Sequence, residues 1–421
     1  MLIQFRVANY RSIRTPQTLS RVASSAKTEL ATHTSVCKSL AESRLLNSCA
    51  IYGANGAGKT SLMRAAFDLR QLVMLSAKAD SDAELPVTPF LLSSSTAQKP
   101  SSFEVTFDLG GIRHQYGVVV SKTRVHEEWL IAYPLRHPQT LFHRTAKGDK
   151  YDWKWGDSLR GAKSKIAELT RKNVLFLSSA ANLNHRQLTE VEHWFRSHFW
   201  VVNAEDLVQE FAFSSRLVAT EQRERRKIES FLQSADIAIQ SLRAEEITFS
   251  KSQLPSDMPR SVKHALTKEL KGAKRFDIYA GHKTLEGGTI EFDLEEESHG
   301  TRKLFNLSGP IFRALRNGAA IFIDELDTGI HPVLAKALVG LFHDPKVNQH
   351  GAQLVVATHD TTLLNAATFR RDQIWLAEKD QTQSSHFYSL LEYQPRKEEA
   401  LQRGYLAGRY GGIPVIRPLN A

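Results

Sequence analysis

Cysteine is scarce in this 421-residue chain, and long hydrophobic runs are missing. The two cysteines, Cys37 and Cys49, form no CxxC pair, which excludes a disulfide scaffold or a structural zinc site as the organising feature. The longest apolar runs, at 319–323 and 354–357, are far shorter than the ~18 residues that indicate a membrane span. No apolar block with a small-residue cleavage site follows Met1, so we expect no secretory signal. These absences predict a cytoplasmic protein that does not enter a membrane.

The composition is that of an ordinary folded protein with a positive charge. Apolar residues make up 42% of the chain and charged residues 24%, which excludes a largely disordered chain. At roughly 100–200 residues per domain, the length predicts two or three domains. The net charge of +10 fits a nucleic-acid-binding protein and a soluble basic protein equally well. No nearby carboxylate or cysteine set completes a metal site with His193 and His198, so we expect no metal there.

The pattern of apolar residues predicts four segments. Residues 1–75 hold an opening strand with apolar residues at every second position, a second apolar strand at 45–52 and then a helix. Residues 76–145 are a Ser- and Pro-rich connection followed by a β-meander, and residues 146–270 are mainly helical. Residues 271–421 return to alternating strands and helices. No heptad pattern is long enough to predict a coiled coil.

The strongest motif is a phosphate-binding loop. The segment Gly53–Thr60 reads GANGAGKT, a full match to GxxxxGK[ST], with an apolar strand before it and an amphipathic helix after it. Glycines allow backbone N–H groups to turn towards phosphate, and the helix N-terminus adds the positive end of its dipole. Lys59 is expected to reach the β- and γ-phosphates, and the Thr60 hydroxyl to coordinate Mg²⁺. The predicted ATP-binding residues are Gly53, Ala54, Asn55, Gly56, Ala57, Gly58, Lys59, Thr60 and Ser61.

Two adjacent acids follow another apolar strand. The segment 319–325 reads AAIFIDE, so Asp324 lies at the predicted strand end and Glu325 follows it. A carboxylate at the strand end suits a Mg²⁺ contact, and the next one can polarise the attacking water. We therefore expect Asp324 to hold the metal together with Thr60, and Glu325 to be catalytic.

A histidine follows the next apolar strand along the chain. The segment 354–360 reads LVVATHD, and we expect His359 to sense or hold the γ-phosphate. Its place on the strand after the two acids favours a catalytic role over a structural one.

The order of these motifs resembles that of ABC-type ATPases. In that group the segment after the acids, here LDTGIH centred on Asp327, is the D-loop, and the histidine is the switch. The opening F-x-V-x-N-Y-R-S, residues 5–12, resembles the first strand of SMC- and RecF-like members. Arg11 within it is either a phosphate contact or an ordinary surface arginine. The resemblance implies an α/β P-loop ATPase fold with an inserted β-meander and a helical subdomain.

ABC-type ATPases also carry a serine-glycine signature that caps ATP from the opposing protomer. The best match is ESHGT, residues 297–301, which lies ahead of a helical pattern but departs from the usual LSGGQ. The resemblance therefore implies an ATP-sandwich dimer with in-trans roles for Ser298, Gly300 and Asp327.

Three further segments resemble RloA/AbiL-type bacterial ATPases, which belong to the OLD-related, AAA-annotated ABC group. They are EEESHGTRKLF (295–305), FRRDQIW (369–375) and RGYLAGRYGGIP (403–414). This resemblance implies phage defence of the abortive-infection kind, with a separately encoded effector such as an RloB-like Toprim protein. No DxD pair follows His359, so we do not expect this chain to be a Toprim nuclease itself.

One stretch bears on the choice of partner. Between residues 122 and 172, twelve Lys and Arg interleave with aromatic residues, and we call this stretch the basic–aromatic segment. Such a surface can grip phosphate backbones and stack on bases, but a meander with paired aromatics and charged outer faces gives the same pattern. We favour the meander. If the segment does bind nucleic acid, the alternative function is that of a RecF-like DNA-repair ATPase. The SMC-like start disfavours a third possibility, a transporter subunit.

Overall fold

The computed structural model describes residues 1–25, 30–202, 207–248, 274–396 and 399–414. The strands are β1 (Leu2–Ala8), β2 (Gln17–Ser20), β3 (Thr34–Val36), β4 (Arg44–Leu46), β5 (Ser48–Gly53), β6 (Ser101–Leu109), β7 (Ile112–Val120), β8 (Val125–Tyr133), β9 (Gln139–Lys147), β10 (Lys150–Trp155), β11 (Phe199–Val202), β12 (Ile239–Thr248), β13 (Lys274–Lys283), β14 (Thr289–Asp293), β15 (Ala320–Ile323), β16 (Gln353–Ala357), β17 (Ile374–Lys379) and β18 (Ser385–Ser389). The α-helices are α1 (Lys59–Leu75), α2 (Ser94–Ala97), α3 (Lys163–Leu169), α4 (Phe176–Asn182), α5 (Arg186–His198), α6 (Val208–Thr220), α7 (Gln222–Ser234), α8 (His299–Asn317), α9 (Pro332–His343) and α10 (Leu401–Leu406). Short 3-10 helices lie at Ala31–His33, Ser76–Lys78, Pro134–Arg136, Leu294–Glu296, Thr361–Leu363, Arg371–Gln373 and Leu390–Tyr393.

The chain forms two compact units. The first comprises Met1–Ala204, Ala314–Thr328 and Ala335–Ala421, and the second comprises Glu205–Arg313 and Gly329–Leu334. The first unit is therefore built from both the N-terminal and the C-terminal parts of the sequence.

A six-stranded sheet in the first unit has the order β11-β15-β16-β5-β17-β18. The first five strands in this order, β11, β15, β16, β5 and β17, run parallel. The edge strand β18 pairs antiparallel with β17. Every residue of β5, β15 and β16 is buried, as is typical of parallel strands covered on both faces, and this explains their continuous apolar runs. The carboxyl ends of parallel strands meet at one edge of a sheet. Gly53 at the end of β5, Asp324 after β15 and His359 after β16 therefore lie at the same edge.

A seven-stranded antiparallel sheet in the same unit has the order β10-β9-β8-β7-β6-β1-β2. Its strands alternate between buried and partly exposed residues, which is the period of a sheet with one face in the core. Phe5 and Val7 of β1 and Phe103 and Val105 of β6 are fully buried. They share one apolar cluster with Leu69 of α1, so burial of this face fixes the register of the opening strand.

The second unit contains a three-stranded antiparallel sheet in the order β12-β13-β14. The helices α6 and α7 contact β12, and α6 also contacts β13. Leu217 and Val218 of α6 and Ile228 and Leu232 of α7 are buried, so the apolar faces of both helices are covered within this unit.

Three strands, β10, β11 and β12, lie within residues 146–270, which the sequence predicts to be mainly helical. The meander continues past residue 145 into β10, where tryptophans and charged residues alternate on opposite faces. Residues 239–248 form β12 because they pair with β13 along the strand. Residues 249–270 of that predicted segment lie outside the described residues.

Part of the basic–aromatic segment belongs to the interior. Trp153 and Trp155 stack with ring centroids 4.7 Å apart, and both contact the Phe176 ring. Arg144 and Glu128 are fully buried and form an ion pair at 3.1 Å. The interpretation of these aromatic side chains as packed members of a meander is therefore confirmed, and Arg144 cannot contact nucleic acid on an open surface.

A stacked pair of histidines lies at the start of β5. The rings of His33 and His343 are 3.5 Å apart and inclined by 17°. His343 Nε2 lies 2.6 Å from Ser48 Oγ, and His33 Nδ1 lies 2.9 Å from Gln373 Oε1. Burial lowers the pKa of His343 to about 3, with smaller contributions from the neighbouring His33 and Arg21.

This pair predicts a loss of stability in mild acid. The unfolded chain takes up a proton near pH 6.5, whereas the folded chain keeps His343 neutral to about pH 3. The free energy of unfolding should therefore fall as the pH falls from about 6.5, by about 1.4 kcal/mol per pH unit for one such group. Urea unfolding measured from pH 8 to pH 4.5 checks this. His343→Gln should flatten the slope, and the exposed control His137→Gln should leave it parallel to that of the wild type.

Candidate functional site

The phosphate loop connects the buried strand β5 to the N-terminus of α1. Gly58 precedes the first helical residue with φ 107°, and Gly56 has φ 75°, a backbone region that glycine adopts without strain. Lys59 Nζ donates to the carbonyl oxygens of Gly53 at 2.8 Å and Ala54 at 3.2 Å. The loop thus folds around the ammonium group of Lys59. This group lies beside the N–H groups of the first turn of α1, which have no partner within the helix.

The first acid lies directly against the loop. Asp324 is buried at the end of β15, and the Thr60 hydroxyl hydrogen-bonds to its carboxylate. Burial raises the pKa of Asp324, while the Thr60 hydroxyl and the Lys59 charge oppose that shift. Burial also lowers the pKa of Lys59, and Asp324, Asp327 and Glu325 oppose it. The four charged groups therefore interact as one cluster at the edge of the sheet.

The second acid is held outward in an unusual backbone conformation. Glu325 has φ 47°, in the left-handed region that non-glycine residues rarely adopt, and it is exposed. Its N–H donates to Asp324 Oδ1 at 3.1 Å, and the Thr328 hydroxyl donates to Glu325 Oε2 at 3.2 Å. Backbone strain at such a place is typical of functional sites. Thr328 positions the Glu325 side chain through this hydrogen bond, and the sequence did not predict that role.

The histidine is tied to the D-loop candidate through its backbone. The His359 N–H donates to both carboxylate oxygens of Asp327, at 3.2 and 3.3 Å. Burial and then the Lys59 charge lower the pKa of His359, whereas Asp327, Glu325 and Asp324 oppose the shift. The lowered pKa favours the uncharged imidazole, in which one nitrogen donates and the other accepts.

The signature candidate belongs to the second unit. Ser298 and His299 are exposed, and the Ser298 hydroxyl accepts from the N–H of Thr301 at 3.2 Å in the first turn of α8. A Cβ on Gly300 would lie 2.7 Å from the carbonyl oxygen of Gly329, so the two glycines approach each other closely. Ser298 thus caps the first turn of the helix that the sequence predicts after this segment.

Arg11 lies between the opening strand and α1. Its backbone has φ 48°, and its Nε donates to the Tyr10 hydroxyl at 3.0 Å. The Tyr10 hydroxyl in turn donates to Asp68 of α1 at 2.6 Å. The Arg11 side chain is exposed, so this geometry leaves both the phosphate contact and the surface role open.

The predicted magnesium ligands fit that metal chemically. The Thr60 hydroxyl and the Asp324 carboxylate supply adjacent oxygen atoms, which Mg²⁺ prefers, and the rest of its coordination in such sites comes from phosphate and water. Among the described residues, no group of three or more His, Cys, Asp and Glu side chains is arranged to hold a metal ion.

A protein-family model described as "AAA domain, putative AbiEii toxin, Type IV TA system" matches residues 49–365. The matched span contains the phosphate loop, the signature candidate, both acids and the histidine. The chain belongs to this family. It is therefore a nucleotide-binding P-loop ATPase, and the α/β fold with an inserted meander that the sequence resemblance implied is confirmed.

Solved structures show only a distant likeness to this AAA-domain chain. The SMC head domain from Thermotoga maritima is 13% identical over 92% of this chain and 98% of that chain, with a TM-score of 0.39. The SMC head bound to the C-winged helix domain of ScpA is 11% identical over 93% and 99%, with a TM-score of 0.44. The recombination mediator protein RecF with ATP is 13% identical over 85% and 93%, with a TM-score of 0.28.

A comparison with curated proteins found no match. No helix in the described ranges combines the length and apolar character needed to cross a membrane.

Proposed function

We propose that two copies of this ATPase close head to tail over Mg-ATP and thereby control a separately encoded effector in an antiviral, abortive-infection-like system. One observation carries the catalytic part. Lys59, Asp324, Glu325, Asp327 and His359 interact at one edge of the parallel sheet, beside a glycine loop and a helix N-terminus.

Each group at this edge has a separate task in hydrolysis. Lys59 and the N–H groups of the loop bind the β- and γ-phosphates. Glu325, held by Thr328, orients the attacking water and accepts its proton. The neutral imidazole of His359 hydrogen-bonds to the γ-phosphate. Thr60 and Asp324 would hold Mg²⁺, which would supply positive charge against the negative charge that develops on the phosphates.

The dimer part of the proposal is supported by the exposure of the signature candidate. Ser298 is exposed to solvent and directly precedes the 19-residue helix α8. The N–H groups at a helix N-terminus favour an anion there. A residue that caps the nucleotide of another copy has to be accessible from outside its own chain. We assign Ser298 and Gly300 to that task, with Asp327 as the D-loop residue.

The effector part is supported by family descriptions. The matched family names a toxin of a Type IV toxin–antitoxin system, and the RloA/AbiL resemblance implies phage defence. An ATPase gates a partner when that partner binds the closed and open forms with different affinities. We propose a separately encoded RloB-like Toprim protein as this partner.

The proposed partner can be tested by co-expression with the tagged product of the neighbouring gene. We expect the two proteins to co-purify in the presence of ATP, and Lys59→Ala to abolish this, because without nucleotide the closed form is lost. The triple variant Lys147→Gln/Lys150→Gln/Lys154→Gln removes exposed charges of the basic–aromatic segment and should leave co-purification intact.

The RecF-like alternative predicts the opposite pattern. DNA would then stimulate ATP turnover, the affinity would fall steeply with salt, and the triple variant would lose both effects. DNA stimulation at two salt concentrations, together with no binding of the neighbouring gene product, would contradict the effector proposal. The buried Arg144 is left unchanged in this test, because removing it would leave Glu128 without its partner.

A further inference from the structure

Three serine hydroxyls form a hydrogen-bonded chain beside the phosphate loop. Ser385 Oγ donates to Ser12 Oγ at 2.8 Å, and Ser12 Oγ donates to Ser61 Oγ at 2.8 Å. The Ser385 N–H also donates to the Ser12 carbonyl oxygen at 2.7 Å. The first turn of α1 is thus joined to the residue that opens β18 and to the turn after β1.

The chain lies directly against the backbone of the loop. A Cβ on Gly58 would be 2.0 Å from Ser385 Oγ and 2.8 Å from Ser12 Oγ. Ser385 is fully buried, whereas Ser12 and Ser61 are partly exposed. The hydroxyls therefore occupy the space that a side chain at Gly58 would fill, and their positions are fixed by packing as well as by hydrogen bonds.

Both hydrogen bonds donate in the same direction, towards Ser61. The Ser61 oxygen accepts from Ser12, so its own O–H proton is available to another acceptor, and within the part of the chain that the structure describes no hydrogen bond uses it. A hydroxyl that accepts a hydrogen bond becomes a stronger donor. Ser61 lies in the first turn of α1, where the free N–H groups already favour an anion.

We propose that Ser385 and Ser12 are positioning residues that orient the Ser61 hydroxyl to donate to a phosphate of the bound nucleotide. The inference rests on the proposed function, because it requires the loop to hold ATP. It gives the edge hairpin of β17 and β18 a direct part in nucleotide affinity. The rate of hydrolysis should depend little on Ser12 and Ser385, because their hydrogen bonds act on Ser61 in the first turn of α1.

A double-mutant cycle tests this positioning role. Ser12→Ala, Ser385→Ala and Ser61→Ala are each expected to raise the Kd for the non-hydrolysable analogue Mg-AMPPNP by about three- to tenfold, the worth of one hydrogen bond. The kcat for ATP of Ser12→Ala and of Ser385→Ala should stay within about twofold of the wild type. Because Ser12 acts through Ser61, the double variant Ser12→Ala/Ser61→Ala should bind no more weakly than Ser61→Ala alone.

A matched control is the adjacent buried serine. Ser384 Oγ accepts from the Arg14 N–H at 3.3 Å and takes no part in the chain, so Ser384→Ala should leave the Kd unchanged. A double variant whose effect is the product of the two single effects, or an unchanged Kd for Ser61→Ala, would overturn the positioning role. Lys59→Ala tests the proposed function separately. If this variant bound Mg-AMPPNP as tightly as the wild type, the phosphate loop would not be the nucleotide site, whatever the effects of the serine variants.

Discussion

Glu325→Gln is expected to bind ATP as tightly as the wild-type protein and to hydrolyse it about 10²- to 10³-fold more slowly. The amide keeps the size of the side chain and can still accept from Thr328, but it has no charge to orient water or to accept its proton. The phosphate cradle is untouched, because Lys59 and the loop bind through other atoms. Steady-state turnover and the Kd for ATP, measured on the same preparation, check both halves of the expectation.

Two controls bound this result. Glu168→Gln makes the same chemical change at an exposed position of α3 and should keep the wild-type rate. Lys59→Ala should weaken binding itself, since it removes the ammonium group that the loop folds around. Wild-type turnover in Glu325→Gln would show that the role assigned to Glu325 is wrong.

The centre of this site could be predicted because its signals are contiguous in sequence. The loop motif, the two acids and the histidine each follow an apolar run, and such runs become buried parallel strands. Parallel strands bring their carboxyl ends to one edge, so three separate motifs predict one site. The family match and the sheet order confirm the fold on which that prediction depended.

The supporting hydroxyls could not be predicted in the same way. Ser12 and Ser385 are 373 positions apart. Ser12 ends the opening motif of residues 5–12 and Ser385 belongs to no motif, so nothing in the sequence links the two. Thr328 lies within the D-loop segment, but its bond to Glu325 depends on the left-handed backbone at the acid. Single polar residues of this kind acquire a role only from packing, which leaves no periodic signal in the sequence.

Burial of charge was also hidden from the sequence. Arg144 contributes to the positive charge of the basic–aromatic segment, yet it is fully buried and paired with Glu128. Glu128 additionally accepts from the N–H groups of Phe176 and Leu177 at 2.7 and 2.9 Å, at the start of α4. A count of basic residues treats such an arginine as surface charge, because only the tertiary structure shows its partner.

The second large effect is expected in mixtures of inactive variants. Lys59→Ala disables the phosphate loop, and Ser298→Arg places a bulky cation where the signature serine should cap a nucleotide. If the cap comes from the opposing copy, a mixed dimer contains one site with both defects and one site with neither. Equal mixing should then restore about a quarter of the wild-type rate, because half of the dimers are mixed and each has one intact site.

The matched control uses two defects that a shared site cannot separate. Lys59 and Glu325 both act on the nucleotide bound by their own chain, so in a mixed dimer of Lys59→Ala and Glu325→Gln each site keeps one defect. That pair should stay inactive at every ratio, whereas Lys59→Ala with Ser298→Arg should recover activity with a maximum near equal amounts. No recovery in the second pair, or equal recovery in both, would contradict a nucleotide site shared between two copies. The contrast between the pairs depends only on which chain supplies each residue, and it therefore tests the head-to-tail arrangement independently of how fast either intact site turns over.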